Sequence, residues 1–187
     1  VTFQSATQSG ITNVDGEFQY LAGEMVTFSI GGIVLGTVEG AATITPVELT
    51  GGVDPIDQAA TNQLVFLQTI DADADYSNGI TISPATQLAA ETQTLVFTEP
   101  EFSNQVAAVV AAIQDPADPD KSLVDETTAL DNFYITYVQL GGTNTFTWSF
   151  PPQYPSFPPV VCGANTTIDV VPASVVAAGV VGRTRSV

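Results

Sequence analysis

The amino-acid sequence predicts an α+β fold: a β-rich, sandwich-like sheet system made from N- and C-terminal strands, with two or three inserted helices. Three observations point there. β-prone runs punctuated by glycine turns fill residues 1–45. From residue 54 the apolar period becomes that of a helix, with Asp and Pro at the start. From residue 133 apolar and aromatic residues alternate with a period of two. A chain of 187 residues can bury one substantial core. The chain is therefore read as a single domain over 1–187, with β hairpins in 1–45, a helical and acidic-loop insert in 54–132, β structure in 133–171 and a tail in 172–187.

The elements follow in order. Residues Thr2 to Thr7 read as extended. Asp15-Gly16, between Gly10-Ile11-Thr12 and Glu17-Phe18-Gln19-Tyr20, is a hairpin signal. Met25–Ile30 alternates as a strand, and Gly31-Gly32 turns it into Ile33–Gly36. Asp54 as N-cap, Pro55 at N1 and Asp57 in the first turn start a helix running to about Ile70, with Ile56, Ala60, Leu64 and Leu67 on one face. A short helix starts at Ser83-Pro84. Thr98-Glu99-Pro100-Glu101 has capping-box spacing ahead of Phe102, Val106, Val109, Val110 and Ile113. Another turn or two of helix falls within 122–132. Phe133–Leu140, Gly141-Gly142 and Thr143–Phe150 read as a hairpin with Phe146, Trp148 and Phe150 on one face. Prolines then interrupt the chain, edge strands fall near Val160 and Thr167–Val171, and residues 173–187 are small, apolar and basic at the end.

Charge narrows the function classes. Twenty acids face three bases, a formal net charge of −17. Lys121, Arg183 and Arg185 are the only bases, so residues 1–120 hold 16 carboxylates and no side-chain cation. Such a chain has nothing with which to neutralise phosphates, so neither nucleic acid nor an anionic membrane surface is expected as a partner. It attracts divalent cations. No run approaches the roughly 18 apolar residues of a membrane span. The chain starts at Val1 with no initiator methionine, so either a signal peptide has been removed, as expected of a secreted protein, or the sequence has been trimmed. The one cysteine, Cys162, sits in an apolar run and makes no internal disulfide.

The sharpest local motif is Asp71-Ala72-Asp73-Ala74-Asp75, followed by Asn78-Gly79. Carboxylates at alternate positions after a helix open many calcium loops, because oxygens at i, i+2 and i+4 can converge on one hard cation. Asp71, Asp73, Asp75 and Asn78 are the candidate ligands and calcium the candidate cofactor. The loop departs from an EF-hand: Tyr76 replaces the sixth-position glycine and Ile82 the bidentate glutamate. Another segment must then complete the shell. A polar, metal-free helix terminus is the competing reading.

Residues 10–20 and 23–31, followed by Asn62–Asp71 and Asn78-Gly79-Ile80, resemble a module of secreted bacterial surface proteins and lipoproteins, a carboxypeptidase-regulatory-like or adhesin-like β-domain followed by an Asp-rich loop. The resemblance covers residues 9–82. It implies an extracellular or cell-surface setting and supplies no catalytic residues.

Absences exclude several chemistries. With no histidine there is no Ser-His-Asp or Cys-His catalysis and no His-based zinc or copper site. A phosphate-binding loop is missing too. Paired carboxylates, Asp57 with Glu48 or Glu99 with Glu101, leave a secreted hydrolase as the weakest alternative, and an isopeptide through Lys121 is disfavoured by its polar setting. The expected function is thus non-enzymatic: a self-assembling extracellular structural protein, a filament, pilus-like or surface-layer subunit, stabilised by calcium. Its partners are then copies of itself, joined by strand addition from the segment that starts with Val1 and Phe3. The alternative is a monomeric adhesin or carbohydrate-binding module, with Trp148 on an aromatic face and a glycan or cell-surface partner.

Overall fold

The computed structural model describes residues 1–139, apart from Ser77 and residues 118–120. Four strands come first: β1 (Thr2–Gln4), β2 (Ser9–Ile11), β3 (Met25–Ile30) and β4 (Ile33–Glu39). Helices follow: α1 (Pro46–Leu49), α2 (Gln58–Thr69), α3 (Pro84–Ala89) with a 3-10 turn at Ala90–Thr92, α4 (Glu101–Ile113) and α5 (Glu126–Gln139). The fold is mixed α+β, with one antiparallel sheet in the order β2-β1-β3-β4. Among the described residues no helix is long and apolar enough to cross a membrane.

Alternation sets the sheet's inner face. Val26, Phe28 and Ile30 of β3 are buried, as are Ile33 and Leu35 of β4, while Val34 between them is exposed. The β3–β4 register slips once, between Phe28 and Ser29, so that Phe28 faces Gly36 and Ser29 faces Val34. Gly36 has a packing reason: a Cβ there would lie 2.2 Å from the Leu49 carbonyl oxygen, where α1 closes on β4. The core is completed by Phe66 of α2, by Phe97, and by Phe102, Val106, Val110 and Ile113 of α4.

Helix α2 is buried nearly all round, and its polar residues are therefore held by hydrogen bonds. Asn62 donates to the Phe97 carbonyl (2.8 Å) and to Glu99 (3.1 Å). Gln68 donates to the Ala129 carbonyl (2.8 Å) and accepts from Asn132 (2.9 Å). Thr69 accepts the Val124 N–H (3.0 Å). Gln63 donates to the carbonyl of Leu35.

Several sequence expectations are corrected. Residues 133–139 are not a strand; they continue α5. Ala129, Phe133 and Tyr137 recur every fourth residue, Ala129 is buried against α2, and the Phe133 and Tyr137 rings lie 5.5 Å apart. The alternation of aromatic residues there is also compatible with a helical stripe, and packing on α2 decides between the two. Glu17–Tyr20 forms no strand, and β2 pairs with β1 instead. The helix expected from Asp54 starts at Gln58. Asp54 and Pro55 form a preceding turn, and the Asp57 carboxylate accepts the N–H groups of Val53 (2.8 Å) and Asp54 (3.3 Å). Ser83 caps α3 as expected, with Pro84 in the first turn. Helix α1 has no counterpart in the sequence reading, although Thr45-Pro46-Val47-Glu48 is a capping box: Thr45 Oγ1 accepts from Val47 N–H (3.2 Å) and Glu48 accepts from Thr45 N–H (2.7 Å). The expected strands within 143–171, and the tail, lie outside the described residues.

Candidate metal centre

Helix α2 ends against the residues that matter most. Ile70 closes it with its N–H on the Phe66 carbonyl (3.1 Å). Asp71 comes next and is fully buried, at 0% exposure. Its Oδ1 accepts the Thr81 N–H (2.8 Å), and Ala72 N–H donates to the Thr81 carbonyl (2.8 Å). These two bonds pin both ends of the loop 72–81. The Asp71 main-chain oxygen accepts from Lys121 Nζ, 50 residues away.

The second carboxylate oxygen, Asp71 Oδ2, is buried and, while both neighbouring carboxyls are ionised, has no donor among the described residues. An unsatisfied buried polar atom costs about 1–3 kcal/mol, and more when charged. Its neighbour makes matters worse, because that neighbour is the carboxyl of Asp73. Burial pushes the Asp71 carboxyl above the usual carboxylate range; the Thr81 N–H opposes this, the charge of Asp73 and a hydrogen bond between the two carboxyls push it further, and Lys121 partly offsets it. The same arrangement holds Asp73 below its usual range, through the Asn78 amide first, then the Asp75 N–H. The Tyr76 hydroxyl is raised by burial and by the charge of Asp71. Two carboxyls close enough to share a proton are close enough to share a cation.

The outer turn of the loop is built by Asp73. Its Oδ1 accepts Asp75 N–H (3.1 Å), its Oδ2 accepts Asn78 Nδ2 (2.9 Å), and Asn78 N–H donates to the Asp75 carbonyl (3.2 Å). Ala74, between them, adopts φ of +54°, a left-handed backbone that costs a non-glycine residue about 1 kcal/mol.

Of the four predicted ligands, the structure brings Asp71 and Asp73 together and ties Asn78 to Asp73. The three carboxylates do not converge: among the described residues no group of three or more His, Cys, Asp or Glu is placed to hold one ion. The loop places a left-handed turn at Ala74, between Asp73 and Asp75. A hard cation here would be held by Asp71 and Asp73, with main-chain carbonyls or water supplying the other oxygens. The donor set is all oxygen, the chemistry a hard cation takes.

The other predicted residues fare differently. Val1 is half-buried and its ammonium donates to Thr12 Oγ1 (3.1 Å). Phe3 is buried, its ring 6.0 Å from that of Phe18. Both edges of β1 are hydrogen-bonded within its own sheet, to β2 and β3, so this strand is not free for donation to a neighbour. Trp148 lies outside the described residues. The paired carboxylates serve local structure: Glu48 belongs to the Thr45 capping box, Asp57 holds the 53–54 turn, and Glu99 accepts from Asn62 and, at 3.4 Å, from Ser103 N–H. Sequence reasoning missed the burial of Asp71 and its contact with Lys121. Its available signal was the apolar Ile70 immediately before Asp71, continuous with a helix that carries the core.

Comparison with protein-family models, curated proteins and solved structures finds no match to this chain.

Proposed function

We propose that this chain is an extracellular structural module, a subunit of a self-associating surface assembly, whose α2–loop junction is stabilised by calcium. One observation carries the reading: a fully buried Asp71 carboxylate with an unpartnered oxygen, set beside a second carboxylate. Residues 1–120 contain no Lys or Arg, so Lys121 is the first side-chain cation the sequence offers, and it meets the main-chain oxygen of Asp71. A divalent cation removes both penalties at once, the unpaired oxygen and the carboxylate–carboxylate repulsion. Calcium suits the loop better than magnesium because it tolerates irregular oxygen shells. Extracellular modules bind it with Kd of about 10⁻⁴–10⁻³ M, which matches calcium levels outside cells. No catalytic role is assigned to any residue.

The sandwich-like sheet system expected from N- and C-terminal strands belongs to this proposal. A monomeric adhesin is the second reading, favoured by the half-buried aromatic pair Phe18 and Tyr20, whose rings stack at 5.5 Å beside an open groove.

Light scattering of the purified chain in millimolar calcium and in chelator tests the proposal. A mass well above 19.5 kDa in calcium, falling when calcium is removed, is the expected result. A 19.5 kDa species in both conditions, with the same melting temperature, would contradict it.

A further inference from the structure

The two edges of the sheet are finished differently. β4 is covered: α1 closes on it at Gly36, and the amide of Gln63 takes the Leu35 carbonyl. β2 is the opposite edge, and no described strand lies beyond it. Thr12 N–H bonds to Val1 (2.8 Å) and Ser5 N–H to Gln8 (2.7 Å), with Phe3 opposite Gly10 between them. Because antiparallel hydrogen bonding alternates, the N–H and C=O groups of Ser9 and Ile11 face away from β1. Ile11 is 63% exposed and Val14, just beyond, 97% exposed. This edge is short, three residues in β2, but it carries neither of the residues that commonly block strand addition, lysine or proline, and neither residue type occurs between residues 1 and 45.

A groove of about 750 Å³ runs along this edge, with Phe3, Phe18, Tyr20 and Ile44 on its apolar side and Asp15 and Glu17 at its rim. It offers a backbone ladder, an apolar floor and negative charge. The matching segment is in the same sequence. Residues 173–187 hold no Asp or Glu, two of the chain's three basic residues (Arg183 and Arg185), and the β-prone pairs Val175-Val176 and Val180-Val181.

We propose that residues 173–187 of a second copy add as a strand to β2, with valines on the groove floor and Arg183 and Arg185 at Asp15 and Glu17. The inference rests on the self-association reading and not on calcium. It reverses the direction expected from the sequence: the N-terminal sheet accepts a strand, and the C-terminal segment donates it. Such a contact is heterologous, so repetition gives open chains or rings.

The test uses full-length protein and a labelled synthetic peptide of residues 173–187, followed by fluorescence anisotropy. Saturable binding is expected, weakened about tenfold when the peptide carries R183E and R185E, since exchanging two rim charge pairs for like-charge contacts costs on the order of 1.4 kcal/mol. The protein variant D15K/E17K, with its melting curve checked against wild type, should lose the peptide and regain the charge-reversed one. Absence of binding to wild type up to about 1 mM, or equal binding of both peptides, overturns the proposal. If the full chain still assembles in that case, self-association survives and this site does not. If the peptide binds as expected while the full chain stays at 19.5 kDa, the groove stands and the assembly reading falls.

Discussion

Two acidic loops of this molecule, 13–17 and 71–81, have similar composition and opposite electrostatics. In the first, Asn13 does the work of a counter-ion. Its Oδ1 accepts the N–H groups of Asp15 (3.0 Å) and Glu17 (2.8 Å), and its Nδ2 donates to Glu17 Oε2 (2.7 Å). Asp15 and Glu17 themselves stay in water, where a carboxylate needs no partner. In the second loop the outer turn is built the same way, by Asp73 and Asn78, but the loop is entered through a carboxylate that the core has closed over. One buried oxygen separates a self-sufficient turn from one that leaves a carboxylate oxygen without a donor among the described residues.

The comparison can be broken or sharpened by substitution. The largest effect is expected at Asp71. Asn in its place keeps the shape, removes the charge and can donate to Asp73. Asp71→Asn should therefore raise the calcium-free stability by about 1–3 kcal/mol, roughly 2–12 °C in melting temperature for a domain of this size, and abolish the stabilisation by calcium. An equal calcium response in variant and wild type would remove Asp71 from the site. Asp73→Asn should retain the fold and weaken calcium about tenfold, a change of about 1.4 kcal/mol, read by calorimetric titration; an unchanged affinity would assign the ion to other oxygens. Asn13→Ala is the control in the other loop. It should cost about 1 kcal/mol in urea denaturation, by the same amount with and without calcium, and a calcium-dependent cost would mean that the loops are coupled.

The smallest effect concerns pH. Glu24 accepts from Ser5 Oγ (2.7 Å) and from Leu21 N–H (3.3 Å), joining the β1–β2 turn to the start of β3. The Ser5 hydroxyl, with Thr7 and Leu21, holds its carboxyl below the usual range. A depressed folded-state pKa stabilises the fold above the unfolded value and loses that contribution as pH falls through the folded one. Glu24→Gln should accordingly flatten the acid limb of the stability curve below the ordinary glutamate range, lowering stability slightly at pH 7 and converging on wild type in acid. An acid limb identical to wild type would show that the hydrogen bonds to Glu24 do not persist in solution.

The parts of the fold that were legible in the sequence are those where local pattern and packing agree. Val26, Phe28 and Ile30 alternate and are buried alternately; Ser83-Pro84 caps a helix; Val106, Val110 and Ile113 share a buried face. The reading failed where a tertiary partner decides. Phe133 and Tyr137 satisfy both periods, Ile135 between them is exposed, and α2, through Gln68 and Asn132, selects the helix. Glu17–Tyr20 has strand propensity, but Phe18 turns inward to pack on Phe28 at 5.0 Å, and β1 takes the place beside β2. In the acidic loop the carboxylates were legible and the depth of Asp71 was not, because burial depends on segments as distant as Thr81 and Lys121. The left-handed backbone at Ala74 gave no signal in the spacing of the carboxylates.

Calcium affinity measured by isothermal titration on the full chain tests the central claim most directly. Wild type should bind one calcium ion with Kd of about 10⁻⁴–10⁻³ M, and Asp71→Asn should show no heat of binding while remaining folded. Equal binding by both proteins, or none by wild type in millimolar calcium, would contradict the account.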